Sequence, residues 1–136
     1  MSNNTTEIRS LLLNHIDGLF YTSESENPFE LIELGQIWGE EKALIKKLHE
    51  TARLPLVAFE YYFPDSFFES IITSLAQSDG GNMVTSDRYR ALYDFIRSSF
   101  EEIQVIKSGQ KTIDILIVLL TKDKDCFVLR TVATQS

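Results

Sequence analysis

The chain has 136 residues, of which 43% are hydrophobic and 24% are charged. These fractions are ordinary for a folded protein and argue against global disorder, and the length suits a single domain, which we place at 1–136. The net charge of −7 at pH 7 argues against direct nucleic-acid binding, because such binding needs cations that displace the counterions of the phosphates. The same charge suits a basic protein partner, although it also serves solubility.

Three features of the sequence favour a cytoplasmic protein with no membrane contact. Cys126 is the single cysteine and cannot form an internal disulfide bond. The polar residues 1–6 lack the basic and apolar regions of a signal peptide. No apolar run approaches the roughly 20 residues that a membrane-spanning helix needs.

The first half of the chain predicts two helices with a strand between them. Apolar residues at helical spacing follow Thr5 or Thr6 as the N-cap, and Gly18 is the predicted end of this first helix. A short strand is predicted at 29–34, and a helix with a charged, solvated face at 40–53.

Two further helices are predicted in the middle of the chain. Ser66 and Glu69 have the spacing of a capping box, which predicts that the third helix begins there. The glycine-containing segment 78–82 predicts a turn. The fourth helix follows it, with Thr85 or Ser86 as its cap.

The last third of the chain predicts an antiparallel meander with strands at 103–107, 112–121 and 126–134. The segment 56–63 has the aromatic and branched residues of a further strand or extended cover. The strand at 112–121 is apolar on both faces, so both faces must be covered. We therefore predict an α+β fold, a three-layer α/β/α sandwich with a mixed, mainly antiparallel sheet that ends in the C-terminal meander.

Three residues that could carry chemistry are expected to be structural. His15 has no second histidine, cysteine or paired carboxylate at ligand spacing. We expect Trp38 to pack in the core, although tryptophan is also frequent at binding hot spots. Asp114 interrupts an apolar strand face, where it is either a satisfied structural carboxylate or a functional acid.

The segment 21–30 is the candidate functional site, because it alternates hydroxyls with carboxylates and then reaches a proline. Pro28 fixes its own φ and pushes Asn27 into an extended conformation, so we expect Glu24 and Glu26 to be held outward on a stiffened loop. Such a carboxylate can mimic a phosphate, accept hydrogen bonds from partner arginines or complete the shell of a hard cation. The alternative is a loop that is polar only because it is solvated.

The common catalytic templates are absent from the sequence. It contains no H-E-x-x-H, no G-x-S-x-G, no Walker A loop and no cysteine pair for zinc. We therefore expect no enzyme and no cofactor. A small metal-dependent hydrolase that uses Glu24, Glu26 or Asp114 is the enzymatic alternative, but a pair of acids is weakly specific.

Two motifs resemble the nuclease A inhibitor family, small proteins that block a sugar-nonspecific DNA/RNA endonuclease. The first motif consists of Asp-Gly-Leu at 17–19, Ser-Glu-Ser-Glu at 23–26 and Pro-Phe-Glu at 28–30. The second is Asp-Ser-Phe-Phe at 65–68, where a helix begins. The meander at 105–134 is also similar in arrangement.

The resemblance implies an α/β/α sandwich that inhibits a magnesium-dependent nuclease by inserting its acidic loop, 23–30, into the active site. Glu24 would be directed at the catalytic magnesium of the partner, in the complex only. Glu26 and Glu30 would contact basic partner residues, although Glu30 could instead cap or pair locally. The full set of expected partner-binding residues is Ser23, Glu24, Ser25, Glu26, Asn27, Glu30, Gln135 and Ser136.

The expected partner is a nonspecific DNA/RNA endonuclease in a 1:1 complex. Three residues depart from the family pattern: Asn27 replaces an aromatic residue, and Gln135 and Ser136 differ from the family's C-terminal residues. The alternative function is an acidic adaptor that shares the scaffold and binds a protein other than a nuclease.

Overall fold

The computed structural model describes residues 2–37, 41–53, 58–77 and 83–135. In chain order the elements are α1 (Ser2–Ile16), β1 (Phe20–Thr22), β2 (Glu26–Pro28), β3 (Glu30–Gln36), α2 (Glu41–Ala52), β4 (Phe59–Tyr62), α3 (Pro64–Gln77), α4 (Met83–Ser99), β5 (Glu102–Gly109), β6 (Thr112–Leu120) and β7 (Asp125–Thr134). This combination confirms the predicted α+β class. Within these ranges, no helix is both long enough and apolar enough to cross a membrane.

Some predicted features lie outside the described residues. They are Trp38, the turn at 78–82, the beginning of the predicted strand at 56–63, and Ser136.

Five strands form the main sheet in the order β3-β7-β6-β5-β4, and all four pairs are antiparallel. The three C-terminal strands pair with their sequence neighbours, so β6 lies at the centre between β5 and β7. The prediction that the sheet is mixed is wrong, since none of these described pairs is parallel. Residue patterns did not settle this point, because β3 and β4 join the sheet from distant parts of the chain and their direction is set by tertiary contacts.

Both faces of β6 are buried against helices, as its two apolar faces predicted. Ile117 lies in a cluster that α1, α3 and α4 complete, with Leu12 among its members. Leu116 points to the opposite face, into a cluster completed by Leu44 and Leu48 of α2. Burying one such side chain contributes about 1.5–3 kcal/mol, so these two clusters hold the helices on the sheet.

Helices α1, α3 and α4 all begin before their predicted caps. α1 already includes Thr5 and Thr6, which lie inside it and do not cap it. α3 begins at Pro64 and not at Ser66. Proline is favourable at the first helical position, because that position needs no N–H donor and the ring fixes a helical φ. The end of α1 shortly before Gly18 agrees with the prediction.

Both predicted caps of α4, Thr85 and Ser86, lie inside the helix, and Ser86 makes a buried tertiary contact. Ser86 lies inside the first turns of the helix, which begins at Met83. Its hydroxyl donates to the carbonyl oxygen of Ile72 at 3.1 Å, and this bond links α4 to α3. The prediction treated Ser86 as a cap because it lies near the helix start, but the hydrogen-bond partner of its hydroxyl is on another helix.

Gly109 occupies a position that the turn between β5 and β6 reserves for glycine. Its φ is +122°, and a Cβ atom placed there would lie 2.1 Å from the carbonyl oxygen of Thr112. Gly35 in β3 also has a positive φ, +71°, but a Cβ atom there would meet nothing within 4 Å. The two glycines therefore separate the effect of backbone strain from the effect of collision.

Gly109→Ala is expected to lower the free energy of unfolding by more than Gly35→Ala does. The Gly35 variant carries the strain of a left-handed residue alone, about 1–2 kcal/mol. The Gly109 variant adds a collision with backbone, so we expect a loss of about 3 kcal/mol or more. Urea unfolding of both variants measures the difference, and equal losses would contradict the turn geometry described here.

Candidate functional site

The acidic segment forms a β-hairpin, which we call the acidic hairpin and define as residues 20–28. Its two strands pair antiparallel, with Phe20 opposite Pro28 and Thr22 opposite Glu26. The tip is the turn at 23–25, where the Ser23 N–H donates to the Ser25 carbonyl oxygen at 2.8 Å. The segment was predicted as a loop, which is correct only for the tip. Strands of three residues give too few positions for a period-2 pattern to be recognised.

The base of the acidic hairpin is fixed to α3 and α4 by aromatic side chains. Tyr21 is half-buried and stacks on Phe67 with 6.2 Å between the ring centroids. The Tyr89 hydroxyl donates to the Phe20 carbonyl oxygen at 2.6 Å, and the buried Phe29 packs edge-on against the same tyrosine ring. Burial raises the pKa of both tyrosine hydroxyls.

The tip is bound to the end of β7. The Ser23 Oγ accepts the backbone N–H of Thr134 at 2.9 Å, and the Ser25 Oγ lies 2.8 Å from the Thr134 Oγ1. The Glu24 N–H donates to the Thr134 carbonyl oxygen at 3.3 Å. Every residue of the turn therefore makes a polar contact with one residue of the sheet.

Asn27 joins the tip and β7 through a single side chain. Its Nδ2 donates to the Ser25 Oγ at 2.8 Å and to the Val132 carbonyl oxygen at 2.9 Å. The Thr131 hydroxyl donates to the carbonyl oxygens of Asn27 at 3.3 Å and of Pro28 at 3.1 Å. An asparagine meets this geometry because its amide group offers two donors on one nitrogen.

The alternation of hydroxyls and carboxylates divides the segment into two faces. Ser23, Ser25 and Asn27 are half-buried and turn toward β7, whereas Glu24 and Glu26 are exposed. The predicted outward display of these two carboxylates is confirmed. Ser23, Ser25 and Asn27, which were expected to contact a partner, make hydrogen bonds within the chain.

The exposed face of the acidic hairpin combines apolar and acidic groups. Phe20 is 45% exposed, and its cross-strand neighbour Pro28 is exposed as well. A groove of about 640 Å³ runs beside this face toward α3 and α4, and its lining includes Glu26 together with the hydroxyl residues Ser70 and Ser74. A partner seated here would meet one charged side chain among hydroxyls and rings.

Glu30 lies on β3, outside the acidic hairpin, and it is paired within the chain. Its Oε1 lies 2.8 Å from the Arg130 Nη1, and the Nη2 of the same arginine lies 2.7 Å from the Asp114 Oδ1. Glu30 was expected either to contact a partner or to pair locally, and the structure shows the local pair with Arg130. Asp114 is likewise engaged as a structural carboxylate, with 28% of its side chain exposed.

Gln135 follows β7 directly and lies beside the tip. Its backbone N–H donates to the Lys111 carbonyl oxygen at 2.8 Å, and it shares the lining of a cavity of about 450 Å³ with Ser23. Ser136, the other expected C-terminal contact, is outside the described residues.

In the part of the chain that the structure describes, no group of three or more His, Cys, Asp or Glu side chains is placed to hold a metal ion. His15, predicted as structural, is half-buried and stacks on Phe95 with 5.1 Å between the ring centroids. Burial lowers its pKa, and the nearby Arg88 lowers it further.

Sequence reasoning missed the residues of β7 that hold the acidic hairpin. They are Thr131, Val132 and Thr134, which are separated from their partners by more than 100 positions in the chain. The only local signal is that two threonines interrupt an apolar strand, and this signal does not identify the partners of their hydroxyls.

Two comparisons with known proteins bear on identity. A search of curated proteins finds no match to the chain. In a scan of protein families, the family described as nuclease A inhibitor-like protein matches residues 6–135. This range contains the acidic hairpin, the aromatic residues at its base and the strand that holds its tip. The chain therefore belongs to the nuclease A inhibitor-like protein family.

Proposed function

We propose that this protein inhibits a magnesium-dependent, nonspecific DNA/RNA endonuclease and has no catalytic activity of its own. In this proposal the tip of the acidic hairpin enters the nuclease active site, with Glu24 directed at the catalytic metal. The observation that carries the proposal is the division of the segment into an inner face bound to β7 and an outer face of exposed carboxylates. Membership of the inhibitor family supports it.

The chemistry of a nuclease active site suits such a ligand. An active site that cleaves nucleic acid combines cationic groups with a divalent ion that polarises the phosphate. Magnesium prefers oxygen ligands, and a carboxylate supplies both the oxygen and the negative charge of a phosphate. The peptide has no phosphodiester bond to cleave, so the tip would occupy the site without turning over. The net charge of −7 accelerates its encounter with a basic cleft.

The hydrogen bonds to β7 prepare the tip for binding. Because Ser23, Ser25 and Asn27 are already held, the tip loses little conformational freedom when a partner covers it. We therefore assign these three residues a positioning role. Glu26 is the proposed contact for a basic residue of the nuclease, and Gln135 a contact at the rim. Glu30 acts within the chain through Arg130.

Glu24→Gln is expected to raise the inhibition constant for the nuclease about 100-fold, as for a central hot-spot residue. The amide keeps the shape of the side chain but loses the charge that a metal ion attracts. Glu26→Gln is the matched control on the same hairpin, and less than a tenfold change is expected there because its contact is peripheral. The measurement is DNA degradation by the nuclease at fixed magnesium and salt concentrations.

An unchanged inhibition constant for a folded Glu24→Gln variant would refute the role of this carboxylate. Wild-type protein that leaves nonspecific endonucleases fully active would favour the alternative of an acidic adaptor.

Asn27→Asp is expected to release the tip without unfolding the protein. The substitution replaces two N–H donors with a carboxylate that faces two oxygen atoms, the Ser25 Oγ and the Val132 carbonyl oxygen. We expect faster amide hydrogen exchange at 23–27 and about tenfold weaker inhibition. A tenfold change corresponds to the net free energy of about one to two hydrogen bonds.

Asn14→Asp is the control for this prediction, because it makes the same chemical change at an exposed position on α1. It is expected to leave both exchange and inhibition at the wild-type level. If Asn27→Asp gives the same exchange rates at 23–27 as the wild type, the bonds to β7 do not hold the tip.

A further inference from the structure

A half-buried lysine lies in the cavity beside the tip of the acidic hairpin. Lys107 is on β5, and its ammonium nitrogen lies 4.3 Å from the ring centroid of Tyr62 and 5.6 Å from that of Phe67. The cavity of about 450 Å³ is lined by this lysine together with Glu60, Ser23 and Gln135, among others. An ammonium over aromatic faces is attracted to their π electrons, which fixes its position. The rings do not, however, replace a carboxylate as a hydrogen-bond acceptor.

The carboxylate nearest in the strand register does not neutralise this lysine. Glu60 lies directly opposite Lys107 on β4, yet its Oε2 accepts the hydroxyl of Tyr62 at 3.1 Å. Within the described ranges, Lys107 forms no ion pair at 4.0 Å or less. Burial lowers the pKa of Lys107, and Glu60 partly opposes this effect. The ammonium has thus lost part of its water without gaining a carboxylate as hydrogen-bond acceptor.

The position of the cavity makes this property relevant to binding. Ser23 belongs to the tip, and Gln135 follows the strand that holds the tip. A protein that covers the tip would also cover the mouth of this cavity. The remaining water around Lys107 would then be lost, and the cost of burying an unpaired charge is large unless the partner supplies an acceptor.

We propose that this cavity is a recognition site for an acidic side chain, an aspartate or glutamate, on the surface of the inhibited nuclease. The inference rests on the proposed function and concerns which nucleases fit. A nuclease with an acidic side chain at this place gains an ion pair that is shielded from water. One with a basic or apolar residue there leaves Lys107 buried and unpaired and is disfavoured, so the site discriminates between partners.

The charge pattern of the whole contact surface is therefore mixed. Glu24 and Glu26 offer negative charge to the basic cleft, and Lys107 offers positive charge a short distance away. A matching nuclease needs a basic active site with an acidic residue at its rim. Complementarity of both signs fixes the register of two proteins more strongly than one sign alone.

The first experiment measures inhibition of a nuclease that the wild-type protein inhibits. Lys107→Met keeps the length and the contact with the rings but removes the charge, and about a tenfold higher inhibition constant is expected. Lys107→Glu is expected to raise the constant about 100-fold, because it places like charges together. Lys122→Met is the control, since Lys122 is exposed in the turn at the opposite end of β6, and less than a twofold change is expected there.

The second experiment tests the identity of the partner group by charge reversal. Each Asp or Glu around the active site of the nuclease is changed to Lys, one at a time, and tested against the wild type and Lys107→Glu. One reversed nuclease is expected to be inhibited better by Lys107→Glu than by the wild type. A purely structural role of Lys107 would not produce this exchange of preference.

The outcomes separate this inference from the proposed function. If Lys107→Met and Lys107→Glu inhibit as well as the wild type, or if no reversed nuclease prefers Lys107→Glu, the inference is overturned while the role of Glu24 stands. If the wild type inhibits no nuclease, the proposed function and the inference both fail. Circular dichroism and thermal unfolding verify that each variant is folded.

Discussion

The attachment of the acidic hairpin to the end of β7 is the constraint on which the candidate site depends. A two-stranded hairpin of this size is at best marginally stable in water, so its shape must come from what it docks against. Here the docking surface is the last part of β7, and the contacts converge on Thr134 and on the amide of Asn27. If these contacts were lost, Glu24 and Glu26 would still be exposed, but their direction would no longer be defined.

The sheet makes this docking surface rigid. β7 pairs with β6 along residues 126–134 but with β3 only along residues 125–130, so the end of β7 that receives the tip is held by β6 on one side and is open to the hairpin on the other. The helices that bury the two faces of β6 prevent the strands from shifting. The same strand that builds the core therefore supports the tip, and the cavity of Lys107 lies next to it. Core and site are therefore coupled through β7.

Local sequence patterns predicted the core better than the site. The apolar alternation on both faces of β6 was sufficient to infer two covered faces, because that inference needs only neighbouring residues. The partners of the hairpin residues could not be inferred in this way. Ser25 and Thr134 are 109 positions apart, and Asn27 and Val132 are 105 apart, so no local period connects them. Arg130 and Glu30 are separated by 100 positions, which is why pairing of Glu30 remained one of two alternatives.

The errors at the helix starts have the same origin. Ser66 and Ser86 were read as caps because serine near a helix start often is one. In α4 the serine hydroxyl bonds to α3, and in α3 a proline two residues earlier begins the helix. In the acidic segment, by contrast, the alternation of Ser and Glu did contain the correct division into an inner and an outer face. What it lacked was the identity of the surface that receives the inner face.

The most direct test of the account locates the metal of the nuclease relative to the acidic hairpin. The test uses a complex of the isotope-labelled protein with a nuclease whose magnesium is replaced by manganese. The paramagnetic ion broadens the signals of nearby amides, and the broadening falls steeply with the distance between the amide and the ion. The account predicts the strongest broadening at Ser23, Glu24 and Ser25, with a decline along both strands toward the base of the hairpin. Sharp signals at the tip, with broadening centred on another surface such as α2 or β4, would contradict it.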